Sequence, residues 1–429
     1  MRRLGELAKS DLIRHGILVF AATMLVNVLG YAYHFAISRH IGVVQYGVLS
    51  ALNAAIMIST VIGVVLTTVV VKYAAEFRAL DDRAHLAALA RQVGIYGTLG
   101  GIAVMLGGMA LAVPIAAFLN ISNVAAVALT MVIVGFSVTN PGLRAIFQGT
   151  EDFNRYSISI VMESTLKAAL GIGLVFAGFG VVGAFGGWAA GSLTAFAYNL
   201  FTIRRRFARV EGVPVRFDVT RLVRTTANVA LATLMLTVIS YADVLLVKHF
   251  ADPTTAGLYG ALSLSGKILL FLVGFVPTVL LPKATRKAMR GHSPAGVFLQ
   301  ALGLSVAMSG AGLVFYYFFP ALVVTRLAGA AFAPAASYVF GYGFAMVLLA
   351  GLNLVVTYKI GLHRFDFIVP LAVCTVGEIV GISVYHASLA DVIAVLIAGN
   401  GLALAGSAYK VTSPLVARPA APAAASDAA

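Results

Sequence analysis

Carboxylates are rare in this chain: sixteen Asp and Glu in 429 residues, which with thirty Lys and Arg bring the charged fraction to only 11%. A water-soluble globule covers its surface with about 25% charged residues. With 60% hydrophobic residues and a mean hydropathy of +0.97, this chain cannot do so and is expected in a membrane. Cysteine is nearly absent as well. Cys374 stands alone in an apolar run, which excludes a disulfide framework and a cysteine metal site. Long polar loops are also few. The turns expected on the outer side offer little beyond Asp252 and Asp391, with no His or carboxylate cluster at metal spacing. No Gly-Lys-Ser/Thr loop is present to cradle a nucleotide phosphate. These absences argue against a membrane glycosyltransferase or polymerase and against an ATP-driven pump, and no catalytic residue, metal ligand or cofactor is assigned. The net charge of +14 would suit nucleic acid only if it formed a basic face on a soluble domain. The positions of the charges point to membrane topology instead.

Apolar stretches of spanning length fall near 16–38, 46–71, 93–118, 124–147, 157–178 and 181–203, then 226–248, 257–281, 296–319, 333–358, 366–386 and 390–409. That gives about twelve transmembrane helices. If the N-terminus is cytoplasmic, the inside segments collect nearly all of the Lys and Arg, while the outside turns hold only Arg39, Lys248 and Arg326. Losing one span would swap every later loop, so this asymmetry supports the count and puts both termini in the cytoplasm. Met1 to Arg14 reads as an interfacial amphipathic helix rather than a cleaved leader. Arg204 to Arg224, basic and broken by Gly212 and Pro214, reads as a central linker. The Pro- and Ala-rich tail after Ser413 is expected to be disordered.

The chain uses one stretch twice. Tyr31 to Ser50 and Ser240 to Ser263 both run from an apolar helix into a basic residue and His (Arg39-His40, Lys248-His249), through a short break, into Tyr-Gly-x-Leu-Ser. The offset is about 209 residues before the break and about 213 after it, one short insertion apart. We expect a six-helix half at 1–210, a second at 211–412 and the tail at 413–429. Six spans is an even number, so the second half re-enters in the same orientation. The expected architecture is therefore an all-α integral membrane protein with two parallel six-helix repeats around a central cavity.

A charge at the bilayer centre costs about 2.5 to 3.5 kcal/mol on insertion scales, so Glu163, Lys167, Asp243, Lys267 and Glu378 are expected to face the bundle interior or a wet cavity. Glu163 and Lys167, four apart with Glu first, suit an intrahelical pair; such a pair either neutralises itself at a helix contact or gates a cavity. Asn27, Tyr31, His34 and Ser38 form one polar stripe, and Ser50, Asn53, Thr60 and Thr67 another, consistent with a shared wet cavity or with hydrogen bonds across packed helices. The repeat offset sets His34 against Asp243, one titratable group per half at the same depth. They are expected across the cavity from each other as ion-coupling groups, alongside Glu163, Lys167 and Glu378. Arg39 and Lys248 are likewise equivalent. They either cap helix ends or, with Lys267, Asn27, Tyr31 and Asn53, meet an anionic substrate. Pro141, Pro277 and Pro282 lie late in their helices, where missing backbone donors favour kinks.

The run Arg39-x-x-Gly42-x-x-x-Tyr46-Gly47, its echo at Gly257-x-Tyr259-Gly260, Ile146-Phe147-Gln148-Gly149 followed by Phe153-Asn154-Arg155-Tyr156, and Gly178-x-Gly180-x-x-Gly183-Ala184 resemble the polysaccharide biosynthesis and O-antigen flippases. These belong to the multidrug, oligosaccharidyl-lipid and polysaccharide exporter superfamily. The resemblance extends over nearly the whole chain and lies in the order of the motifs. It implies a flippase of the cytoplasmic membrane, an antiporter-like machine that turns a polyprenyl diphosphate-linked oligosaccharide (an O-antigen or exopolysaccharide precursor) to the outer leaflet. The mechanism implied is alternating access coupled to H⁺ or Na⁺, with membrane lipid but no nucleic acid as a partner. The alternative within the superfamily is a cation-coupled exporter of small organic cations. A net cationic cavity favours the first reading; one dominated by Asp243, Glu163 and Glu378 favours the second.

Overall fold

The computed structural model describes residues 2–210, 213, 219–274 and 293–411 together with Val276, Pro277, Leu280, Ala284 and Lys287; the side chains of 2–13 and 219–225 are excepted. Gly212, Pro214 and Pro282, the tail after Val411 and the side chains of the proposed interfacial helix lie outside this set.

The described residues form helices and contain no strand. In chain order these are α1 (Arg2–Ala79), α2 (Arg83–Ala110), α3 (Ala112–Phe118), α4 (Val124–Gly149), α5 (Phe153–Leu174) and α6 (Gly180–Phe207). The second half of the chain supplies α7 (Val219–Phe250), α8 (Pro253–Val273), α9 (Ala295–Phe318), α10 (Pro320–Leu327), α11 (Val339–Gly361), α12 (Ile368–Val384) and α13 (Leu389–Ala408). Many of the few carboxylates start helices. Asp82 caps α2 and Asp152 caps α5, each accepting a backbone N–H three residues on. Asp252 caps α8 ahead of Pro253, and Ser388 and Asp391 form a capping box on α13.

Nine helical stretches among the described residues are long and apolar enough to cross a membrane, with Ile368–Val384 a shorter apolar helix. Large apolar side chains point outward, with Phe20 65% and Val369 70% exposed, as lipid-facing surfaces require. The protein is a multi-pass membrane protein.

Two of the nine stretches are too long for one crossing. Arg14–Ala79 has 66 residues; at 1.5 Å per residue a straight helix of that length would reach about 100 Å, some three bilayer cores. It folds back at Gly42, whose φ of 74° and ψ of 172° are non-helical and lie where only glycine sits without strain. His34 and Tyr46 would be about 18 Å apart along a straight helix, yet the Tyr46 hydroxyl lies 3.3 Å from His34 Nδ1. The sequence reading placed a polar break of several residues here; a single glycine makes the turn. Phe153–Phe207 folds back in the same way at Gly178 and Gly180, which have φ of 94° and 54°.

Other boundaries moved as well. The run read as 93–118 is α2 beginning at Arg83, then a break at Leu111, then the short α3. Its counterpart 296–319 matches α9, and the short α10 follows it. The helix α4 continues through Pro141.

Helix α1 packs on α4 and α5, and α5 on α6, while in the second half α11 packs on α8 and α13 and α12 on α7 and α13. The two halves of the chain meet chiefly through α1 against α7 and α8. That contact is close because Gly47 and Gly257 face each other: a Cβ on Gly47 would lie 2.8 Å from the Gly257 nitrogen.

The molecule has two distinct ends. One is basic and tied by ion pairs: Arg78 to Glu151 at 2.9 Å and Arg206 to Asp152 at 2.9 Å. In the second half, buried Lys359 reaches Asp366 at 2.9 Å and the Tyr409 carbonyl at 2.7 Å. The other end carries the turns at Gly42, Asn120, Gly178, Ala251 and Leu327. We call it the neutral end.

Candidate functional site

Between the halves lies a cavity of about 1180 Å³. It runs from His15, Phe153 and Gly274 near the basic end to His34, Tyr46 and Val244 in its depth. Beyond that depth the Gly47–Gly257 contact and the Tyr46–Phe332 ring pair, with centroids 5.3 Å apart, close the neutral end.

Seven of the proposed site residues line this cavity, Asn27, Tyr31, His34, Asn53, Glu163, Lys167 and Lys267, and so does Ser50 of the second polar stripe. The polar stripe of α1 faces it through Asn27, Tyr31 and His34. Ser38 is buried against the Phe35 carbonyl, and Thr60 and Thr67 bond their own helix. Arg39, Lys248, Asp243 and Glu378 do not line the cavity.

The pairing of Glu163 differs from the expected i,i+4 contact with Lys167. Its carboxylate is taken by Arg144 of α4 and by the Ser192 hydroxyl of α6, which donates at 2.6 Å. Arg144 in turn donates from Nε to Ser159 Oγ at 2.8 Å. The guanidinium of a neighbouring helix reaches Glu163 Oε2 and Ser159 at once, a forked donor set that a lysine on the same helix cannot supply. Lys167 is left to sit on aromatic faces, its Nζ 3.3 Å from the Trp188 ring centroid and 4.8 Å from that of Tyr33. Lys267 does the same in the second half, 4.1 Å from the Tyr241 centroid. Neither amine forms a carboxylate ion pair among the described residues. Among the described residues the cavity's one lining carboxylate is thus neutralised internally, while one ammonium from each half stays available on a ring that attracts it without discharging it.

Asp243 is not across the cavity from His34. It is 1% exposed, behind Tyr259 and Tyr342, whose hydroxyls donate to Oδ2 at 2.8 and 2.9 Å. The aromatic second helix of each half covers the polar group of its first: Tyr46 stands to His34 as Tyr259 stands to Asp243. Glu378 is 2% exposed on α12, the helix that packs on α7, which carries Asp243. Asp243 Oδ1, Glu378 Oε2 and Asn400 Oδ1 are buried without a hydrogen-bond partner. Glu378 packs on Gly399 and Glu163 on Gly191, so each glutamate sits beside a Gly-polar dipeptide of the last helix in its half (Gly399-Asn400, Gly191-Ser192). Counting five residues back from the ends of α4 and α11 places Val356, fully buried, where Arg144 stands in the first half. The described residues hold no cluster of three or more His, Cys, Asp or Glu that would ligate a metal unaided.

Arg39 and Lys248 lie at the neutral end on backbone carbonyls. Arg39 donates to Thr325, Arg326 and Leu327 at 3.4, 2.7 and 3.2 Å, and Lys248 to Asn120 at 3.1 Å.

Sequence reasoning missed Arg144, Trp188, Tyr241 and Tyr342. Tyr259 stood in the repeated motif, and the offset that pairs His34 with Asp243 pairs Tyr46 with it. The other four carry no local signal, because their roles arise from contacts between distant helices.

Residues 12–286 match the family of polysaccharide biosynthesis proteins, more than half of the 429-residue chain, and the chain belongs to that family. No curated protein sequence matches it. Among solved structures, a multidrug resistance MATE family transporter of the MOP superfamily in an inward-facing conformation superposes with a TM-score of 0.76 at 13% identity, over 92% of this chain and 96% of that one. The lipid II flippase MurJ in an inward closed conformation gives 0.69 at 13% identity, over 93% and 87%. The eukaryotic MATE transporter AtDTX14 gives 0.62 at 12% identity, over 94% and 96%. At such identities the likeness is one of fold: the chain has the fold of the MATE and MurJ transporters.

Proposed function

We propose that the protein is a flippase of the cytoplasmic membrane that carries a polyprenyl diphosphate-linked oligosaccharide from the inner to the outer leaflet by alternating access. In this reading the basic end faces the cytoplasm, as the positive-inside rule requires. The chain crosses the membrane twelve times, in halves at 1–210 and 211–412. The two doubled stretches folding back at Gly42 and Gly178 support that count, together with the short helix Ile368–Val384.

The observation that carries the reading is the charge of the cavity. Arg144 cancels Glu163, and Lys167 and Lys267 remain, one from each half. A diphosphate bridging lipid and sugar is a dianion, and two ammoniums in a poorly solvated cavity attract it far more strongly than they would in water. Asn27, Tyr31 and Asn53 offer hydrogen bonds for sugar hydroxyls, and the apolar remainder suits the lipid end of the substrate. Binding that draws on both halves also gives the substrate a different affinity for the two conformations, without which it shifts no equilibrium.

Asp243 and Glu378 supply the coupling site in this proposal. Two buried carboxylates with unpartnered oxygens hold a cation, either a proton or Na⁺, between them. His34 is the corresponding group of the first half. Glu163, bound to Arg144, and Lys167, held on Trp188, are assigned to the cavity wall instead. The superfamily's other activity, export of organic cations, fits poorly with a cavity whose only lining carboxylate among the described residues already holds a guanidinium.

The experiment is flipping of a fluorescent polyprenyl diphosphate oligosaccharide in proteoliposomes. Lys167→Gln and Lys267→Gln each lower the rate, and the double variant abolishes it while remaining folded. Wild-type flipping by the double variant, or export of a cationic dye that competes with the lipid, would overturn the proposal.

A further inference from the structure

The neutral end carries a contact that the cavity does not explain. Arg39 ends the first arm of α1, and three of its hydrogen bonds go to the carbonyls of Thr325, Arg326 and Leu327, the last turn of α10 in the other half of the chain. Its side chain also covers Gly329, whose Cβ position would lie 3.4 Å from Arg39 Cγ. Lys248 ends α7, the equivalent helix, and donates to the carbonyl of Asn120 in the turn that follows α3. The Asn120 amide donates back to the His249 carbonyl at 2.8 Å, and the His249 ring stacks on Phe118 at 4.2 Å.

These two contacts are the same contact made twice. The short helices α3 and α10 each follow the third apolar helix of their half, and the offset that carries Arg39 onto Lys248 carries Phe118 onto Leu327, the last residues of α3 and α10, and Asn120 onto Gly329 just beyond. Each half therefore uses the cation at the end of its first helix to bind carbonyls at the C-terminal end of the other half's short helix: Arg39 those of the last turn of α10, and Lys248 that of Asn120, two residues beyond α3. Cations favour that position because the helix dipole places partial negative charge there. Lys248 is 3% exposed, so its ammonium has little water to fall back on once the contact breaks.

We infer that Arg39 and Lys248 form a reciprocal latch that holds the neutral end closed, each half clasping the other, so that this end opens only when both clasps release. This rests on the proposed reading in one respect, that the neutral end is the external one. The latch fits the cavity, which opens toward the basic end and stops at Tyr46. It also assigns the two cations a part other than meeting substrate: they set the balance between conformations and touch no ligand.

The test uses the full-length protein in a Cys374→Ser background, with a reporter cysteine at Met57 on the cavity wall and a membrane-impermeant maleimide applied to sealed membranes of either orientation. Cysteines at Ser122 and Arg209 fix the orientation independently, so a reversed topology is seen as such and is not mistaken for a failed latch. Losing one charge-assisted cap raises labelling from the neutral side on the order of tenfold, and losing both multiplies the gains to on the order of a hundredfold. The variants are Arg39→Gln, Lys248→Gln and their combination, and labelling from the basic side falls as the neutral side gains. Arg39→Lys and Lys248→Arg keep a cation in place and stay near the wild-type rate. An unchanged neutral-side rate in the double variant would overturn the latch. So would a gain at both ends alike, which marks general loosening, or charge-preserving variants as leaky as the neutral ones.

Discussion

Replacing Arg144 by Met removes the cation that holds Glu163 and leaves a carboxylate inside the bundle with the Ser192 hydroxyl as its remaining partner. The side chains of the pair are 15% and 19% exposed, too enclosed for water to take over the lost role. Breaking a buried pair from one side costs about 3 to 5 kcal/mol. The carboxylate has an escape, however, which is to bind a proton. From an ordinary value near 4.3 that costs about 1.4 kcal/mol per pH unit, so the penalty at pH 7 is bounded near 3.7 kcal/mol. The bound falls as pH falls, to about 1 kcal/mol at pH 5. Arg144→Met is therefore expected to lose about 2 to 3.5 kcal/mol at pH 7 and to recover most of it at pH 5. Adding Glu163→Met should restore stability, because an apolar pair leaves nothing orphaned, giving a coupling energy of about 2 kcal/mol or more in a double-mutant cycle. The assay is reversible unfolding in mixed micelles, monitored through Trp188, the chain's one tryptophan. A loss below about 1 kcal/mol at pH 7, or one that acid does not relieve, would refute the reasoning and mark the pair as water-screened.

Two further outcomes are expected. Asp243→Asn should abolish ion-driven accumulation of the labelled lipid in vesicles with an imposed H⁺ or Na⁺ gradient while leaving passive scrambling, since the cavity is intact; full coupling in that variant would move the ion site elsewhere. Asp252, outside the spans at the start of α8, accepts from the Thr255 side chain and from the N–H groups of Thr255 and Thr254, which hold its carboxyl below the ordinary value of 3.8. A depressed folded value contributes stability that is present above 3.8 and lost as pH falls through the folded value. Asp252→Ala should therefore destabilise by about 1 kcal/mol at neutral pH, with the difference from wild type closing in strong acid; a difference that persists there would assign the effect to packing instead.

The all-helical membrane architecture was legible because its signals are local and redundant: apolar runs of bilayer length, with cations on one side of nearly every other turn. The stripe Asn27, Tyr31, His34 was legible for the same reason, since spacing of three and four fixes a helix face. The ion partners were not. Nothing in the neighbourhood of Arg144 points to Glu163 on the next helix. Lys167, four residues from Glu163, was the better sequence candidate and lost to guanidinium geometry. Arg39 and Lys248 read either as helix caps or as anion contacts; they do bind carbonyls, but those of a distant short helix and its turn, and backbone has no letter in a sequence. Asp243 was expected to face the cavity and does not, because the two tyrosines that screen it come from helices beginning ten and nearly a hundred residues later.

The reversal at Gly42 has a mechanical consequence. A turn of one residue, pinned by the Tyr46–His34 contact, leaves no slack between the arms of α1, so they move together as one stiff paddle. The arm from 43 to 79 is about 55 Å long at 1.5 Å per residue. A tilt of about 10° about the turn would sweep its far end through about 10 Å, the diameter of a helix. Small rotations where the clasps sit thus become large apertures where the substrate enters, and a few inserted glycines at Gly42 would let the arms part company and waste the stroke.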